Sequence, residues 1–474
     1  MSDGRGDTPI HDVTPHHDPA PQPGQIRRRT IVKGAAWSVP VIAAAVAVPS
    51  AAASVVGTIR VVSAPSSTLA CRPTTTAYTF RVTDELPTTV RFVFADGWGG
   101  RWAPGAPTAY PTDANGIVTI PAGDIIAGTL TSAMYAETAG GARGGSALVV
   151  RRTGTLRFGT GPANMPAASN RDFVRLFATD SGGVAVKGDG EIWRSKASDL
   201  PWVKIGDGAD VGTDNAGFAN FGGNPDAVWI KGGVLMWGTG LTNMPAASNS
   251  DFVRVYTSAS LAIGIRSNGE IWRSDGAGMP WVKVGDGAST DHSTAAATGF
   301  GSPDPVWIKD GVLQRGSGPA NLPAASNSGF IKVYGSDHGA VAIRANREIW
   351  RSDDAALPWV KIGDSASNAP DAAGYANYGP TPDAVWIQGP AGSLQWGTGP
   401  ADMPAESNNG FSYLYTSDNG AVAVRQNGEI WRSKATELPW IKIGDGAFPE
   451  ASSAGYENFG GGDAIWIQNT TSCD

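Results

Sequence analysis

GEIWRSKASDLPWVKIGD at residues 190–207 returns as GEIWRSDGAGMPWVKVGD at 269–286, REIWRSDDAALPWVKIGD at 347–364 and GEIWRSKATELPWIKIGD at 428–445. Trp193, Trp272, Trp350 and Trp431 lie 79, 78 and 81 residues apart. That period is longer than one four-stranded unit needs, which points to a half-repeat. A second pattern fills the gaps, as in VWIKGGVLMWGTGLTNMPAASN at 228–249 and VWIQGPAGSLQWGTGPADMPAESN at 385–408. A fixed interval unites the two. Phe158 to Pro166, Trp193 to Pro201, Trp237 to Pro245, Trp272 to Pro280, Arg315 to Pro323, Trp350 to Pro358, Trp396 to Pro404 and Trp431 to Pro439 are all eight residues apart. Successive prolines then fall 35, 44, 35, 43, 35, 46 and 35 residues apart, so residues 153–474 hold eight units of two alternating types.

A unit of this size presents one small sheet that cannot bury both faces alone, and stacking neighbours around a ring solves this. The expectation is an all-β chain whose larger part is a β-propeller of about eight small blades, seven or eight. In Glu191-Ile192-Trp193-Arg194-Ser195, strand alternation puts Glu191, Trp193 and Ser195 on one face and Ile192 with Arg194 on the other. Neither face is purely polar, as blades covered on both sides require. Fourteen of the 17 tryptophans lie in this region, most at repeated positions. Trp193, Trp272, Trp350, Trp431, Trp202, Trp281, Trp359 and Trp440, with Pro201, Pro280, Pro358 and Pro439, therefore read as the structural repeat, the indoles packing between blades. The last unit opens with GYENFGGGDAIWIQ at 455–468 and stops, while the first begins only with TLRFGTGPANMP at 155–166. These halves are complementary, so pairing of N- and C-terminal strands is expected to close the ring and remove its open edges.

Upstream, RRRTIVKGAAWSVPVIAAAVAVPSAAA at 27–53 places a basic cluster, an apolar run and small residues in the order of a secretory signal. Arg28-Arg29-Thr30-Ile31-Val32-Lys33 resembles the twin-arginine export motif, and the Ala-rich style resembles exported actinobacterial proteins. Residues 1–53 are thus expected to be an export signal with an N-terminal extension, cleaved near Ala53, the product being secreted or associated with the cell surface. The apolar run is shorter than a bilayer span needs, and no later stretch does better. Arg5-Gly6-Asp7 and His11, His16 and His17 lie ahead of the cleavage point and drop out of consideration.

Residues 54–152 carry six strand-like runs: TIRVVS (58–63), AYTFRVT (77–83), TVRFVFA (89–95), GIVTIPA (116–122), LTSAMYAE (130–137) and SALVVRR (146–152). Strands of this number and spacing suggest an immunoglobulin-like sandwich. TDANGIVTIPAG at 112–123 resembles a hairpin element of bacterial Ig-like domains, Asn115-Gly116 supplying the tight turn.

The pattern FVRLFATDSGGVAVKGDGEIW, followed in alternate units by WGTG and a proline, resembles the repeats of propellers similar to the regulator of chromosome condensation. IWRSDGAGMPWVKVG is similar to the Asp-box hairpin of sialidase-type propellers. The Ser-to-Trp interval fits at Ser195/Trp202, Ser274/Trp281, Ser352/Trp359 and Ser433/Trp440, whereas the Asp and Gly places are filled only by Asp354 and Gly278. The resemblance implies a scaffold and carries no catalytic residues.

The net charge is −7; removing residues 1–53, with five basic and four acidic side chains, takes it to −8. A mildly acidic chain without a basic run is a poor match for a phosphate backbone, which excludes nucleic acid as a partner. Beyond the leader only His292 and His338 remain, at non-equivalent positions, so neither a zinc cluster nor a Ser-His-Asp site is indicated and no cofactor is expected. Carboxylates recur: Asp207, Asp286, Asp364 and Asp445 in the IGD turns; Asp226, Asp304, Asp383 and Asp463 before the VWI/IWI strands; and the GEIW/REIW glutamates. Recurrence in every copy suits turn-forming or inter-blade roles, because a catalytic pair breaks symmetry. Repeated groups on one face suit multivalent binding, with the IGD aspartates and Asn170, Asn249, Asn327 and Asn408 as candidate ligand-binding groups. The two cysteines, Cys71 and Cys473, are expected to form a disulfide that ties the closing blade to the sandwich.

These features point to an exported, monomeric binding or adhesion protein for an extracellular glycan or surface protein. A glycan-active hydrolase with a carboxylate pair on the propeller face and a structural envelope component are the alternatives.

Overall fold

In a computed structural model, residues 57–470 are described apart from the short segments 66–67, 84–87, 96–99, 129–131, 149, 197–200, 222–223, 276–279, 300–303, 354–357, 378–381, 435–436 and 459–461. Residues 1–53, read above as a signal, and Cys473 lie outside the described residues. Those described belong to one unit, Val48–Asp474, and among them no helix is long and apolar enough to cross a membrane.

The N-terminal part is a two-layer β-sandwich. Ile59–Ser63, Tyr78–Val82 and Ile117–Ile120 form one sheet; Arg143–Leu148, Ser132–Thr138, Thr89–Phe94 and Ala109–Pro111 form the other. The inward residues of both, including Tyr78, Phe80, Val90, Phe92, Val118, Ile120 and Met134, make one core. Here the hairpin expected at Asn115-Gly116 is corrected. Ala109–Pro111 pairs with Thr89–Phe94 and Ile117–Ile120 with Tyr78–Val82, so the turn carries the chain from one sheet to the other. Asp113 holds it, its Oδ1 accepting from the amides of Asn115 and Ile117 at 2.8 Å, while Gly116 takes φ 74°. An Asx turn followed by a left-handed glycine specifies a sharp reversal and leaves the choice of strand partner to packing.

The C-terminal part consists, among the described residues, of eight four-stranded antiparallel blades. Blade 1 is Phe173–Thr179, Gly182–Lys187, Ile192–Ser195 and Val203–Gly206; blades 2 to 7 begin at Ala216, Phe252, Ala295, Phe330, Ala373 and Phe411. Blade 8 joins both ends of the region, with Ala454–Glu457 and Asp463–Asn469 alongside Gly154–Phe158 and Gly161–Pro162. Its central pairing runs from Gly154 opposite Asn469 to Phe158 opposite Ile465. Each first strand contacts the first strand of the next blade, and that of blade 8 contacts that of blade 1.

Blade faces are apolar because each is covered. Eight clusters, one per boundary between blades, hold residues such as Ile192, Trp229 and Phe218 between blades 1 and 2, or Leu156, Phe173, Trp193 and Trp202 between blades 8 and 1. The first strands crowd toward the axis, so small residues prevail there: a Cβ on Gly374 would sit 2.0 Å from Thr416 Oγ1.

The odd and even blades lock together by repeated polar contacts. Arg194, Arg273, Arg351 and Arg432 on the third strands of odd blades pair with Asp226, Asp304, Asp383 and Asp463 of the following even blades. Trp202, Trp281, Trp359 and Trp440 donate their backbone N–H to the carbonyls of Asn164, Asn243, Asn321 and Asp402 in the preceding Met-Pro or Leu-Pro turns, at 2.8–3.3 Å. Their indoles are 3–6% exposed. Pro201, Pro280, Pro358 and Pro439 stand exposed just before them.

Candidate functional site

In a four-stranded antiparallel blade the start of the first strand, the turn between the second and third, and the end of the fourth share one face of the ring. The entry face therefore carries the IGD turns and the Asn turns; the opposite, exit face carries the ends of the first strands.

On the entry face the sandwich is docked at blade 1. Arg72 pairs with Asp172 at 3.0 Å, Arg151 Nη1 donates to the Val211 carbonyl at 3.0 Å, and Leu69 packs over Gly188. A Cβ on Gly188 would lie 2.2 Å from Leu69 Cδ2. The other odd blades have Ser267, Ala345 and Gln426 at that place, so only blade 1 has the space.

Asn170, Asn249, Asn327 and Asn408 lie behind this face. Each Oδ1 accepts from, and each Nδ2 donates to, the backbone of one leucine, Leu156, Leu235, Leu313 and Leu394 respectively, at 2.6–3.0 Å. The amide imitates a neighbouring strand beside an even-blade third strand whose fourth strand is only two residues long. Both ends of each amide are thus engaged with the backbone, which assigns these side chains to the turn.

The IGD aspartates differ. Asp207, Asp286, Asp364 and Asp445 are 66–71% exposed and pair with Lys204, Lys283, Lys361 and Lys442 at 2.6–2.7 Å. Each lysine also meets the GEIW/REIW glutamate of its blade, Glu191, Glu270, Glu348 or Glu429, at 2.9–3.0 Å. Lys187 and Lys204 hold the Glu191 carboxyl down at about 2, and Arg266 with Lys283 does the same for Glu270. The glutamates accept from the indole N–H of Trp193, Trp272, Trp350 and Trp431 at 3.2–3.5 Å. Beside them Lys187, Arg344 and Arg425 lie 4.9–5.0 Å over the Trp193, Trp350 and Trp431 rings. These tryptophans, on the third strands, pack against the clusters between blades while their indole N–H groups join the ion-pair networks. The same fourth strands expose Val203, Val282, Val360 and Ile441, 40–51% accessible. Four odd blades thus repeat one rim patch: an exposed β-branched residue, a lysine and an aspartate.

The first strands line a central cavity of about 200 Å³. Toward the entry face, His292 crosses it between Asp214 (Nδ1 to Oδ2, 2.6 Å) and Asp371 (Nε2 to Oδ1, 3.1 Å). Burial opposes the imidazolium, but the Asp371 and Asp214 carboxylates outweigh it and push the pKa up to about 10. Asp214 also accepts from Tyr256 Oη at 3.0 Å and from the Ser293 amide at 3.1 Å. This bridge was not legible beforehand, because its three members belong to different repeats and His292 has no counterpart in the others. At the exit mouth, Asp180, Asp337 and Asp418 occupy equivalent places, with Ala259 at the fourth. Burial, then Asp180 and Asp337, raise the Asp418 pKa to about 6, and His338 stands 3.1 Å from it. The recess there is about 60 Å³, room for a few waters. Among the described residues no group of three or more His, Cys, Asp or Glu is placed to hold a metal ion.

Fold and surface together define an eight-bladed β-propeller protein of two alternating blade types, preceded by a β-sandwich. No protein-family model matches the chain, and no curated protein matches it significantly. Among solved structures it is similar to the computationally designed Ika8 protein, at 15% identity over 62% of this chain and 96% of that one, TM-score 0.41. It is also similar to Prp20p from Saccharomyces cerevisiae, at 11% over 68% and 93%, TM-score 0.35. BamB from Moraxella catarrhalis shares 11% over 63% and 95%, TM-score 0.38. At these identities the likeness concerns the fold.

Proposed function

We propose that this protein is an exported, non-enzymatic binding or adhesion protein, its propeller presenting a repeated rim to an extracellular glycan or surface protein, with an Ig-like sandwich as spacer. The observation that carries this reading is the fourfold rim patch, Val203/Lys204/Asp207 and its three copies. Exposed β-branched residues on the free edges of four alternate blades leave apolar area beside paired charges, and a ligand that itself repeats would engage several copies with gain in avidity. Signal-like residues 27–53 support export to the cell surface or medium.

The exit-mouth aspartates are the observation that favours a glycan-active hydrolase, since Asp418, raised to about 6 beside two further carboxylates, has the character of a general acid. The small recess supports binding over catalysis as the leading reading.

The test is binding of purified residues 54–474 to a glycan array and to isolated bacterial cell walls. Saturable binding is expected, lost when Val203, Val282, Val360 and Ile441 are replaced together by Ser and Asp207, Asp286, Asp364 and Asp445 by Asn. Binding that survives the eightfold variant would remove the rim from consideration, and hydrolysis abolished by Asp418→Asn would favour the second reading.

A further inference from the structure

The boundary between blades 8 and 1 is a seam formed by segments from opposite ends of the propeller region, and it holds the one glutamate that is buried among the described residues. Glu457, the last residue of the first strand of blade 8, is 1% exposed, and its Oε1 has no hydrogen-bond partner. Opposite it stands Gly183. A Cβ there would lie 2.0 Å from Glu457 Oε1, and 3.0 Å from Trp202 Cη2. The corresponding positions at the other three even-to-odd boundaries hold Ala219 with Ala262, Thr298 with Ala340, and Ala376 with Ala421. Ala219 and Ala262 share one apolar cluster, Ala376 and Ala421 another. At the seam, the larger residue on one side is matched by the loss of a Cβ on the other.

We propose that Glu457 is a proton-operated latch on this seam, which holds while the carboxyl is protonated and loosens when it ionises. A neutral carboxyl fits the glycine socket at the cost of an unmade hydrogen bond, whereas a carboxylate without a cation or donor in an apolar boundary is far more costly.

The neighbouring charges do not relieve it. On the strands packed against Ala454–Glu457, Asp463 pairs with Arg432 and Lys434. Arg175 pairs with Glu450, Lys187 with Glu191, and Arg425 with Glu429. Tyr413 and Tyr415 stay neutral, their pKa values pushed up by burial.

Burial alone pushes the Glu457 pKa up from 4.5 to about 8. The folded state therefore keeps a proton that the unfolded chain releases, so the contribution is complete below pH 4.5 and is lost as pH rises through about 8.

The experiment is hydrogen exchange, corrected for intrinsic rates, at residues 173–187 and 454–469 between about pH 5 and pH 9, on wild type and Glu457→Gln. Wild-type opening of these segments is expected to rise by up to about tenfold per pH unit within that window, the Gln variant showing no such slope. His292 also titrates toward alkaline pH, but it is present in both proteins and cancels in the comparison. Parallel pH profiles for the two proteins would overturn the latch. Should Glu457→Gln fail to fold, Gly183→Ala/Glu457→Ala restores the alanine pair of the other boundaries; it is expected to be flat with pH, and a retained wild-type slope would equally overturn the proposal.

Discussion

Asn327 reads in sequence as an exposed turn residue available to a ligand, yet it is 7% exposed and its amide bridges the N–H and carbonyl of Leu313. Replacing it by Ala orphans both backbone groups, so Asn327→Ala is expected to destabilise the protein by about 1–3 kcal/mol in denaturant unfolding while leaving ligand binding unchanged. His292 is the second residue whose role depends on distant partners. Removing its ring leaves Asp214 and Asp371 facing each other in a buried site, and His292→Ala is expected to cost about 3–5 kcal/mol near neutral pH. Its folded pKa of about 10 stands above the ordinary 6.5, so its contribution is complete below 6.5 and fades as pH climbs through 10. Thermal melts across that range should show wild type losing its advantage over His292→Ala, and a constant gap would refute the assignment.

At the scale of elements, the repeat spacing revealed the blades because a strand–turn–strand unit that packs against copies of itself must keep the same interval from edge to turn. The Phe158/Pro166 and Trp193/Pro201 intervals report that geometry directly. The sandwich was less legible. Asn115-Gly116 signals a reversal, but whether the chain re-enters the same sheet or crosses to the other is decided by the apolar faces it must cover. Docking of the sandwich depended on another element, the turn after Lys187, where Gly188 alone among four copies admits Leu69. Gly188→Ala is expected to raise hydrogen exchange at Thr68–Leu69 and Val150–Arg151 without altering the propeller strands. A uniform change in both parts would show instead that the substitution acts on blade 1 itself.

For the whole molecule, a disulfide between Cys71 and Cys473 would tie the sandwich covalently to the segment that follows Asp463–Asn469 in sequence. Cys71 sits in a turn with φ 59°, against the sandwich core. Thiol titration of the unfolded, unreduced protein is expected to find no free thiol, and reduction to lower stability by about 6 kcal/mol on the loop-entropy account for a loop of this length. Two titratable thiols would exclude the bridge. The rim patches belong to this scale as well, since their value to a binding protein lies in number: restoring one patch at a time to the eightfold variant should recover affinity more steeply than in proportion, and a linear recovery would argue for independent sites.

The sequence by itself determined the repeat period, the alternation of two unit types and the complementary half-blades at the two ends, because periodic packing imprints a period on the residues that make it, while the closed count of eight blades came from the strand pairing. It also marked the repeated aspartates, asparagines and tryptophans as a set. Only the tertiary structure decided which members of that set face outward, that the asparagines serve the backbone, that His292 spans two other repeats, and that Glu457 lies against Gly183. Those contacts join residues remote in the chain and break the repeat, so their partners are chosen by how the blades come together around the axis, which no local spacing records.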